Sequence, residues 1–276
     1  INTTAYWKIG MAMASGGLPV ISYQSYTNSD LKVAKCAVPD CSSLVKPPTI
    51  VDTLGTLGNN SALAVTADNL PVIAYRDETL AKIKVAKCTI YDCSSGTTIT
   101  PDVGVSGDEL AIAIGIDGMP IISYWTSGNN ALTVIKCDDP ACVPAGNTTT
   151  LVDGVGTYNV GEFSSIAIPT DPTKPDYGLP VISYHDTTNY NLKVAKCNDP
   201  ACSGGDETIT TLTQTTNSTY NDIAIGVNGF PVISNHDSTA GIKDLFVLAC
   251  NDYACEGADE SQNRFSNAND AGGRNS

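Results

Sequence analysis

The sequence contains Gly17-Leu18-Pro19-Val20-Ile21-Ser22-Tyr23, followed by Leu31-Lys32-Val33-Ala34-Lys35-Cys36 and then Cys41. This pattern returns five times, which indicates a repeat architecture. The proline of each copy is Pro19, Pro71, Pro120, Pro180 or Pro231. From that proline to the next cysteine is 17 residues in four copies and 19 in the last, whereas successive prolines lie 49 to 60 residues apart. A rigid unit is therefore repeated, and its connections absorb the change in length.

Each copy predicts four short β-strands. Strand A is an alternation of aliphatic and tiny residues, such as Leu110 to Ile114 or Ser165 to Ile168, and strand B is the proline-led segment after a tight turn. Strand C is the Leu-Lys-Val-Ala-Lys-Cys segment, and strand D is a Thr-rich run such as Thr208 to Leu212. The chain is therefore predicted to be all-β, a five-bladed β-propeller with four antiparallel strands per blade. A β-solenoid is the alternative, but its coils run shorter and lack hairpins at fixed offsets.

We expect one propeller domain over residues 1–266, followed by a polar C-terminal tail over residues 267–276. The predicted blades are residues 7–54, 55–105, 106–153, 154–214 and 215–266. Residues 1–6 correspond to the connection before strand A, so we expect no additional strand ahead of the first blade. The last strand D falls on Ser261 to Phe265, whose polar residues favour β-structure poorly. We therefore expect a weakly covered edge on the fifth blade, open to pairing with another chain.

The repeated phrases Gly-Leu-Pro-Val-Ile-Ser-Tyr and Leu-Lys-Val-Ala-Lys-Cys-x4-Cys resemble repeats of exported bacterial and archaeal proteins. The resemblance covers nearly the whole chain. It implies a β-propeller fold and names no reaction.

All ten cysteines fall in pairs with C-x4-C spacing, at Cys36 and Cys41, Cys88 and Cys93, Cys137 and Cys142, Cys197 and Cys202, and Cys250 and Cys255. A disulfide across so short a loop is geometrically easy. Metal ligation needs about four ligands on one ion, and two thiols per blade do not supply them. We therefore predict one disulfide per blade, and hence an extracellular or cell-surface protein exported to an oxidising compartment.

Composition excludes several classes of partner. Lys and Arg number 15 against 29 Asp and Glu, for a net charge of −14, so nucleic acid is not an expected partner. No apolar stretch approaches the roughly 20 residues that span a bilayer, so no membrane span is predicted.

Two sets of residues are candidates for carbohydrate attachment or recognition. Sequons for N-glycosylation occur at Asn2, Asn59, Asn147 and Asn217, although such triplets also arise by chance in an Asn- and Thr-rich chain. Tyr23, Tyr75, Tyr124 and Tyr184 repeat in register, and Trp125 follows the third of them, so these five are candidate glycan contacts. The alternative, which we favour for the tyrosines, is packing of blade against blade.

Candidates for catalysis are few. His185 and His236, each followed by an aspartate, end two strands B. Adjacent strand residues point to opposite faces, so the aspartate does not readily orient the histidine as in a catalytic dyad. Because most polar residues at strand ends are solvated, we interpret both histidines as solvated strand-end residues. A glycosidase needs two or three converging carboxylates. Asp108, Glu109, Glu162 and Asp222 lie just before strands A, but their offsets differ from blade to blade. The sialidase Ser-x-Asp-x-Gly-x-Thr-Trp box is missing, and we predict no catalytic, metal or cofactor residues.

These observations predict a non-enzymatic, acidic, glycosylated surface module with a structural or adhesive function. We expect it to self-associate through the blade-five edge and the C-terminal tail, as a subunit of a surface or filamentous assembly. The alternatives are a lectin-like propeller that binds glycan and, third, a glycoside hydrolase. Departures from the repeat, such as the longer turn from Pro169 to Gly178, are further places to seek function.

Overall fold

The structure is a computed structural model, and it describes residues 8–101, 107–154, 156, 158–216, 218–237, 244–257 and 259–265. Twenty strands form five separate four-stranded antiparallel sheets in this part of the chain. The only helical element described is a single 3-10 turn at Ser15–Gly17.

Each sheet is called a blade here and numbered in chain order. The strands are β1 (Gly10–Ala14), β2 (Leu18–Gln24), β3 (Leu31–Lys35) and β4 (Thr49–Asp52) in blade 1; β5 (Leu57–Val65), β6 (Pro71–Asp77), β7 (Lys82–Cys88) and β8 (Gly96–Ile99) in blade 2; β9 (Gly107–Ile114), β10 (Pro120–Thr126), β11 (Ala131–Lys136) and β12 (Thr148–Asp153) in blade 3; β13 (Val160–Ala167), β14 (Val181–Asp186), β15 (Asn191–Lys196) and β16 (Thr208–Thr216) in blade 4; and β17 (Ser218–Ile225), β18 (Pro231–Asp237), β19 (Leu245–Ala249) and β20 (Ser261–Phe265) in blade 5.

Within every blade the strands lie in sequence order, each hydrogen-bonded to the next. This up-and-down arrangement confirms the predicted fold class, an all-β five-bladed propeller with four antiparallel strands per blade. Strand A begins earlier than the alternation suggested: β13, for example, starts at Val160, where the prediction began at Ser165. The reason is a pair of register shifts between Val160 and Ser165, which interrupt the alternation without ending the strand.

One disulfide closes the turn between the third and fourth strands of every blade, as predicted. The five bonds join Cys36 to Cys41, Cys88 to Cys93, Cys137 to Cys142, Cys197 to Cys202 and Cys250 to Cys255, with Cα atoms 4.8–5.0 Å apart. The second cysteine of each pair has a positive φ, between 49° and 61°, and the first cysteine is buried. The bridges are consistent with an oxidising compartment. No helix in the described residues is long and apolar enough to cross a membrane.

The chain divides into two compact units, residues 1–122 with 135–149 and residues 123–134 with 150–276. In the first unit, Val20 and Val33 of blade 1 share a buried cluster with Leu63 and Ile73 of blade 2. In the second, the corresponding residues of blades 4 and 5 share another. The predicted single domain over 1–266 and its tail stay a prediction.

A row of short polar contacts crosses from strand B of one blade to strand A of the next. The Ser22 hydroxyl lies 3.0 Å from that of Ser61, and Ser123 donates to Ser164 at 3.1 Å. Ser183 donates to the Asn221 side chain in the same way. Since all of these groups are buried, the row fixes which strand faces which without leaving an unpaired hydroxyl.

A second contact, called the clamp here, joins strand D of one blade to strands B and C of the next. The Asp52 carboxylate of blade 1 accepts hydrogen bonds from the Tyr75 hydroxyl, at 2.7 Å, and from the Lys84 ammonium. Asp153 of blade 3 accepts from Tyr184, also at 2.7 Å, and from Lys193 of blade 4.

The clamp shifts the pKa values of the aspartate and tyrosine side chains that form it. Burial opposes ionisation of Asp52, but hydrogen bonds from Lys84 and Tyr75 outweigh it and hold the pKa of this carboxyl below its usual value. Burial, with the neighbouring carboxylate second, raises the pKa of Tyr75 and of Tyr184. Both tyrosines therefore act as neutral donors.

The last strand is formed at Ser261–Phe265, where strand D of blade 5 was expected. It pairs with β19 along its whole length, from Leu245 opposite Phe265 to Ala249 opposite Ser261. The Arg264 guanidinium pairs with Asp244 and lies over the Phe246 ring, 5.8 Å from its centroid. These contacts explain why a polar segment of low β-propensity nevertheless forms a strand.

Candidate functional site

The beginnings of strands A in blades 4 and 5 carry two aromatic side chains that the alternating pattern concealed. Phe163 and Tyr220 occupy equivalent bulge positions, with φ of 55° and 52°. Their rings lie 4.6 Å apart and are tilted by 54°. Tyr220 is 59% exposed, so the pair presents an aromatic surface to solvent. A bulge with a left-handed residue turns a side chain away from the regular pleat, which explains how both rings reach each other.

A glycine positions the start of β13. Gly161 has a φ of 110°, and a Cβ built on it would lie 2.7 Å from backbone atoms of Leu132 in blade 3. The chain can therefore approach β11 this closely only with glycine at this position. This close approach brings the next two residues, Glu162 and Phe163, beside the end of blade 3.

A chain of hydrogen bonds runs from blade 3 to that glutamate. The Trp125 indole donates to the Asn159 side-chain oxygen at 2.6 Å, and the Asn159 amide donates to Glu162 Oε1 at 2.9 Å. The Asn159 backbone N–H donates to the Thr188 hydroxyl at 2.7 Å, which holds the amide in place. Glu162 is half-buried, and its Oε2 has no hydrogen-bond partner among the described residues. One oxygen of the Glu162 carboxylate is thus held by a hydrogen bond from Asn159, and the other can accept a hydrogen bond from a ligand.

His185 of β14 is the cross-strand partner of Glu162 in β13. The imidazole is 3% exposed, its centroid is 6.1 Å from that of Phe163, and neither ring nitrogen has a hydrogen-bond partner among the described residues. Burial lowers the pKa of His185, although the nearby Glu162 and Asp186 pull in the opposite direction. An unpaired buried polar group is uncommon in native proteins, so this imidazole marks a place where a hydrogen-bonding partner can bind.

These six residues define the blade-four cluster: Trp125, Asn159, Glu162, Phe163, His185 and Tyr220. At the equivalent places in blades 2 and 5, hydrogen bonds or ion pairs within the protein engage some of the polar groups. In blade 2 the Asn59 amide donates to Glu78 at 2.7 Å, and Arg76 pairs with the same carboxylate at 2.8 Å. In blade 5 the Thr219 hydroxyl lies 3.2 Å from His236 Nδ1.

The structure brings together only some of the residues singled out from sequence. Of the five candidate glycan contacts, Trp125 lies in the cluster and is partly exposed, but Tyr23, Tyr75, Tyr124 and Tyr184 are at most 6% exposed. Buried rings offer no face to a sugar, so the alternative, packing of blade against blade, describes the four tyrosines. The interpretation of His185 and His236 as solvated is wrong, since they are 3% and 2% exposed.

Three of the four candidate carboxylates have described side chains. Glu162 belongs to the cluster, while exposed Asp222 accepts from the Ser165 hydroxyl at 2.5 Å and from the Ile223 N–H at 3.1 Å. Glu109 is half-buried in β9, with a φ of 54°. The side chain of Asp108 lies outside the described part. Among the described residues no group of three or more His, Cys, Asp or Glu is placed to hold a metal ion.

Two of the four sequons lie in the described part of the chain. The side-chain nitrogen of Asn59, to which a glycan would attach, donates to Glu78. That of Asn147 donates to the Cys142 carbonyl at 3.2 Å. Asn2 and Asn217 lie outside the described residues, and glycosylation stays a prediction at all four.

No protein-family model matches this chain, and no curated protein matches it. Solved structures do. A protein of unknown function from Dyadobacter fermentans has a TM-score of 0.65 at 9% identity, covering 94% of this chain and 84% of its own length. The Hadza microbial sialidase Hz136 has a TM-score of 0.60 at 14% identity, covering 90% of this chain and 57% of its own. NanB sialidase from Streptococcus pneumoniae has a TM-score of 0.59 at 9% identity, covering 89% and 59%.

At these identities the likeness shows the fold, and this chain spans less than three fifths of the length of either sialidase. An exo-β-1,3-galactanase from Phanerochaete chrysosporium shares the fold as well, with a TM-score of 0.54 at 11% identity over 90% of this chain and 57% of its own. The prediction that the chain is not an enzyme is contradicted by these findings, because most of the proteins found to share its fold are glycoside hydrolases. The resemblance to propeller repeats is supported as to fold.

Proposed function

We propose that this protein binds carbohydrate at the blade-four cluster. The observation that carries the proposal is the juxtaposition, within one compact unit, of an aromatic pair with one exposed ring and a carboxylate with one free oxygen. Sugar rings are recognised by stacking of their C–H faces on aromatic rings and by hydrogen bonds from their hydroxyls to carboxylate and amide groups. Phe163 and Tyr220 supply the first, and Glu162 supplies the second.

His185 adds a reason to expect a ligand with hydroxyl groups. A neutral imidazole can donate from one nitrogen and accept at the other, and here neither position is used by the described residues. A hydroxylated ligand that reached it would satisfy a group whose burial otherwise costs about 1–3 kcal/mol. The shared fold with sialidases and a galactanase supports the same class of ligand.

Binding is tested on a glycan array, followed by calorimetry with the best ligand. We expect Tyr220→Ala and Glu162→Gln each to weaken binding at least tenfold, while Tyr190→Ala leaves it unchanged. Tyr190 is the matched control, since it is 55% exposed in the same blade but belongs to the turn between β14 and β15. No saturable glycan binding by the wild-type protein, or equal loss in all three variants, would contradict the proposal.

Glycoside hydrolysis is the second candidate function, and the observation that favours it is Glu162. This side chain lies beside the aromatic surface with one oxygen oriented by Asn159, as a general acid or nucleophile requires. Release of reducing sugar from the bound glycan tests it. If the chain is a hydrolase acting through this residue, Glu162→Gln abolishes release, whereas hydrolysis that survives the substitution excludes this assignment.

A further inference from the structure

A cavity of about 370 Å³ lies between the turns that join strands A and B in blades 4 and 5, and it is called the turn pocket here. It is lined by residues 169–171, Lys174, residues 225–229 and Tyr253, all of which belong to the second compact unit. Its volume falls within the roughly 300–1,000 Å³ of small-molecule sites. Ile225 ends β17, whereas the blade-four cluster lies where strands A begin, so the pocket is separate from that cluster.

The corresponding turns of other blades carry an ion pair. In blade 3, Asp117 Oδ1 accepts from the Met119 N–H at 3.0 Å, and Asp117 Oδ2 pairs at 2.6 Å with Lys136, the residue before the first cysteine. The same kind of pair joins Asp68 to Lys87 in blade 2, at 3.7 Å, and Asp176 to Lys196 in blade 4, at 2.7 Å. In three blades, therefore, a carboxylate of this turn meets an ammonium group at the end of strand C.

Blade 5 lacks both members of this pair. Asn228 keeps one function of the aspartate, since its Oδ1 accepts from the Phe230 N–H at 3.1 Å, but it has an amide group in place of the second carboxylate oxygen. Ala249 stands where the other blades have lysine. A different cation reaches this turn from blade 4, because a Cβ built on Gly229 would lie 3.7 Å from Lys174 Nζ.

Lys174 is not paired with a carboxylate. Its ammonium group lies over the Phe230 ring, 5.5 Å from the centroid, and no carboxylate among the described residues forms an ion pair with it. Asp171 of the same turn accepts instead from the Thr173 N–H and hydroxyl, at 2.9 and 2.7 Å. The ammonium group is therefore available to an anion in the turn pocket.

Tyr253 supplies a second donor. It is 4% exposed, and its hydroxyl has no hydrogen-bond partner among the described residues. Burial, with nearby aspartates second, raises the pKa of Tyr253, so the phenol stays neutral and can donate. The Tyr253 hydroxyl and Lys174 Nζ each lie 3.7 Å from the position of a Gly229 Cβ. The two donors thus converge on a space that no side chain of Gly229 occupies.

We propose that the turn pocket binds a small hydroxylated carboxylate, whose carboxylate group accepts from the Lys174 ammonium and the Tyr253 hydroxyl. The ligand supplies at blade 5 the negative group that a turn aspartate supplies in blades 2, 3 and 4. Asp171 Oδ2 has no partner among the described residues and can accept from a ligand hydroxyl. A carboxylate is preferred to a phosphate, because Asp171 lines the pocket and Asp176 is close enough to act on Tyr253, and both oppose a second negative charge. Because the hydroxyl is buried, entry of the ligand requires the flexible Lys174 side chain beside it to move.

The first experiment titrates the ¹⁵N-labelled full chain with sodium gluconate, in a carboxylate-free buffer of constant ionic strength, and follows the amide signals by NMR. We expect saturable shifts at Gly226 and Gly229. Gluconamide has the same hydroxyl groups without the charge, and inorganic phosphate has the charge without the carboxylate. Both should bind at least tenfold more weakly than gluconate. Absence of saturable shifts with gluconate, or equal binding of gluconamide or phosphate, overturns the proposal.

The second experiment repeats the titration with variants that circular dichroism shows to be folded. Lys174→Met should weaken gluconate binding at least tenfold. Asn228→Asp keeps the acceptor for the Phe230 N–H and adds the carboxylate of the other turns, so it should pair with Lys174 and weaken binding to a similar extent. Lys46→Met is the matched control, because Lys46 is half-buried as Lys174 is but lies in the first compact unit, and it should change nothing. Binding that survives Lys174→Met or Asn228→Asp contradicts the assignment.

Discussion

The clamp between blades 3 and 4 gives a quantitative prediction. Asp153→Ala removes the acceptor of both the Tyr184 hydroxyl and the Lys193 ammonium. The Lys193 side chain is only 13% exposed, so the substitution leaves a largely buried cation without its counter-charge. Removing one partner of a buried pair costs about 3–5 kcal/mol. Because the Asp153 side chain is 21% exposed and water can enter, we expect the lower end of that range, about 3 kcal/mol of unfolding free energy.

The double variant Asp153→Ala with Lys193→Met separates loss of the pair from loss of the carboxylate itself. With both charges gone, nothing buried is left unpaired except the tyrosine hydroxyl. We therefore expect the double variant to be more stable than Asp153→Ala alone, by about 1–2 kcal/mol. Asp52→Ala in the clamp between blades 1 and 2 should also destabilise the protein, since Asp52 and Lys84 are 6% and 10% exposed, although Asp77, 3.8 Å from Lys84, still offers this cation a counter-charge.

Urea denaturation of the disulfide-intact protein measures these differences, followed by the fluorescence of the two tryptophans, Trp7 and Trp125. The comparison is valid where the dependence of free energy on urea is the same in all variants. Two results would refute the reasoning: a cost for Asp153→Ala within about 0.5 kcal/mol of zero, the range of ordinary surface substitutions, or costs of the two single substitutions that simply add in the double variant.

Three further outcomes follow from the structure. Burial lowers the pKa of His185, so as pH falls below about 6.5 the unfolded chain binds a proton at this residue and the folded chain does not. We therefore expect the free energy of unfolding to decrease below this pH, and His185→Gln to reduce the accompanying decrease in the urea midpoint. Gly161→Ala should cost several times more than Gly156→Ala in thermal unfolding, because both have a positive φ but only the first has backbone within 4 Å of the new Cβ. Replacing one pair, Cys36 and Cys41, by alanine removes a six-residue loop closure worth about 2 kcal/mol, and an undiminished urea midpoint would show that the bridge constrains nothing.

The sequence could predict the blades because their determinants are local and repeated. Proline-to-cysteine spacing, tight turns and C-x4-C pairs each act within one unit, and five copies show which features are constant. The clamp was also within reach of sequence reasoning. Strand D ends in aspartate in the blade before the pair Tyr75 and Lys84, and also in the blade before the pair Tyr184 and Lys193. Blade 5 has Asn235 and Phe246 in place of the tyrosine and the lysine, and strand D of blade 4 has no such aspartate.

The cluster could not be predicted, because it depends on irregularities that period-two alternation does not encode. Phe163 and Tyr220 come together through bulges, and a bulge shifts every later residue to the other face of the strand. The burial of His185 and His236 depends on other segments of the same chain that cover the end of strand B. Whether a strand end is covered depends on tertiary packing. The local sequence of a covered strand end therefore does not differ from that of an exposed one.

Two positions of strand B differ in how constant they are from blade to blade, and this difference explains the location of the candidate site. Three residues after the repeat proline, Ser22, Ser123 and Ser183 each bond the next strand A, so this position recurs and fixes one blade on another. Two residues further on, the side chain changes from blade to blade, through Gln24, Arg76, Trp125, His185 and His236. This later position is not needed for packing in a fixed way, and its hydrogen bonding differs from blade to blade. Where it is satisfied by the protein, as by Glu78 in blade 2, nothing remains for a ligand; where it is buried and unpaired, as at His185, the scaffold leaves hydrogen-bonding capacity that only a bound molecule or water can use.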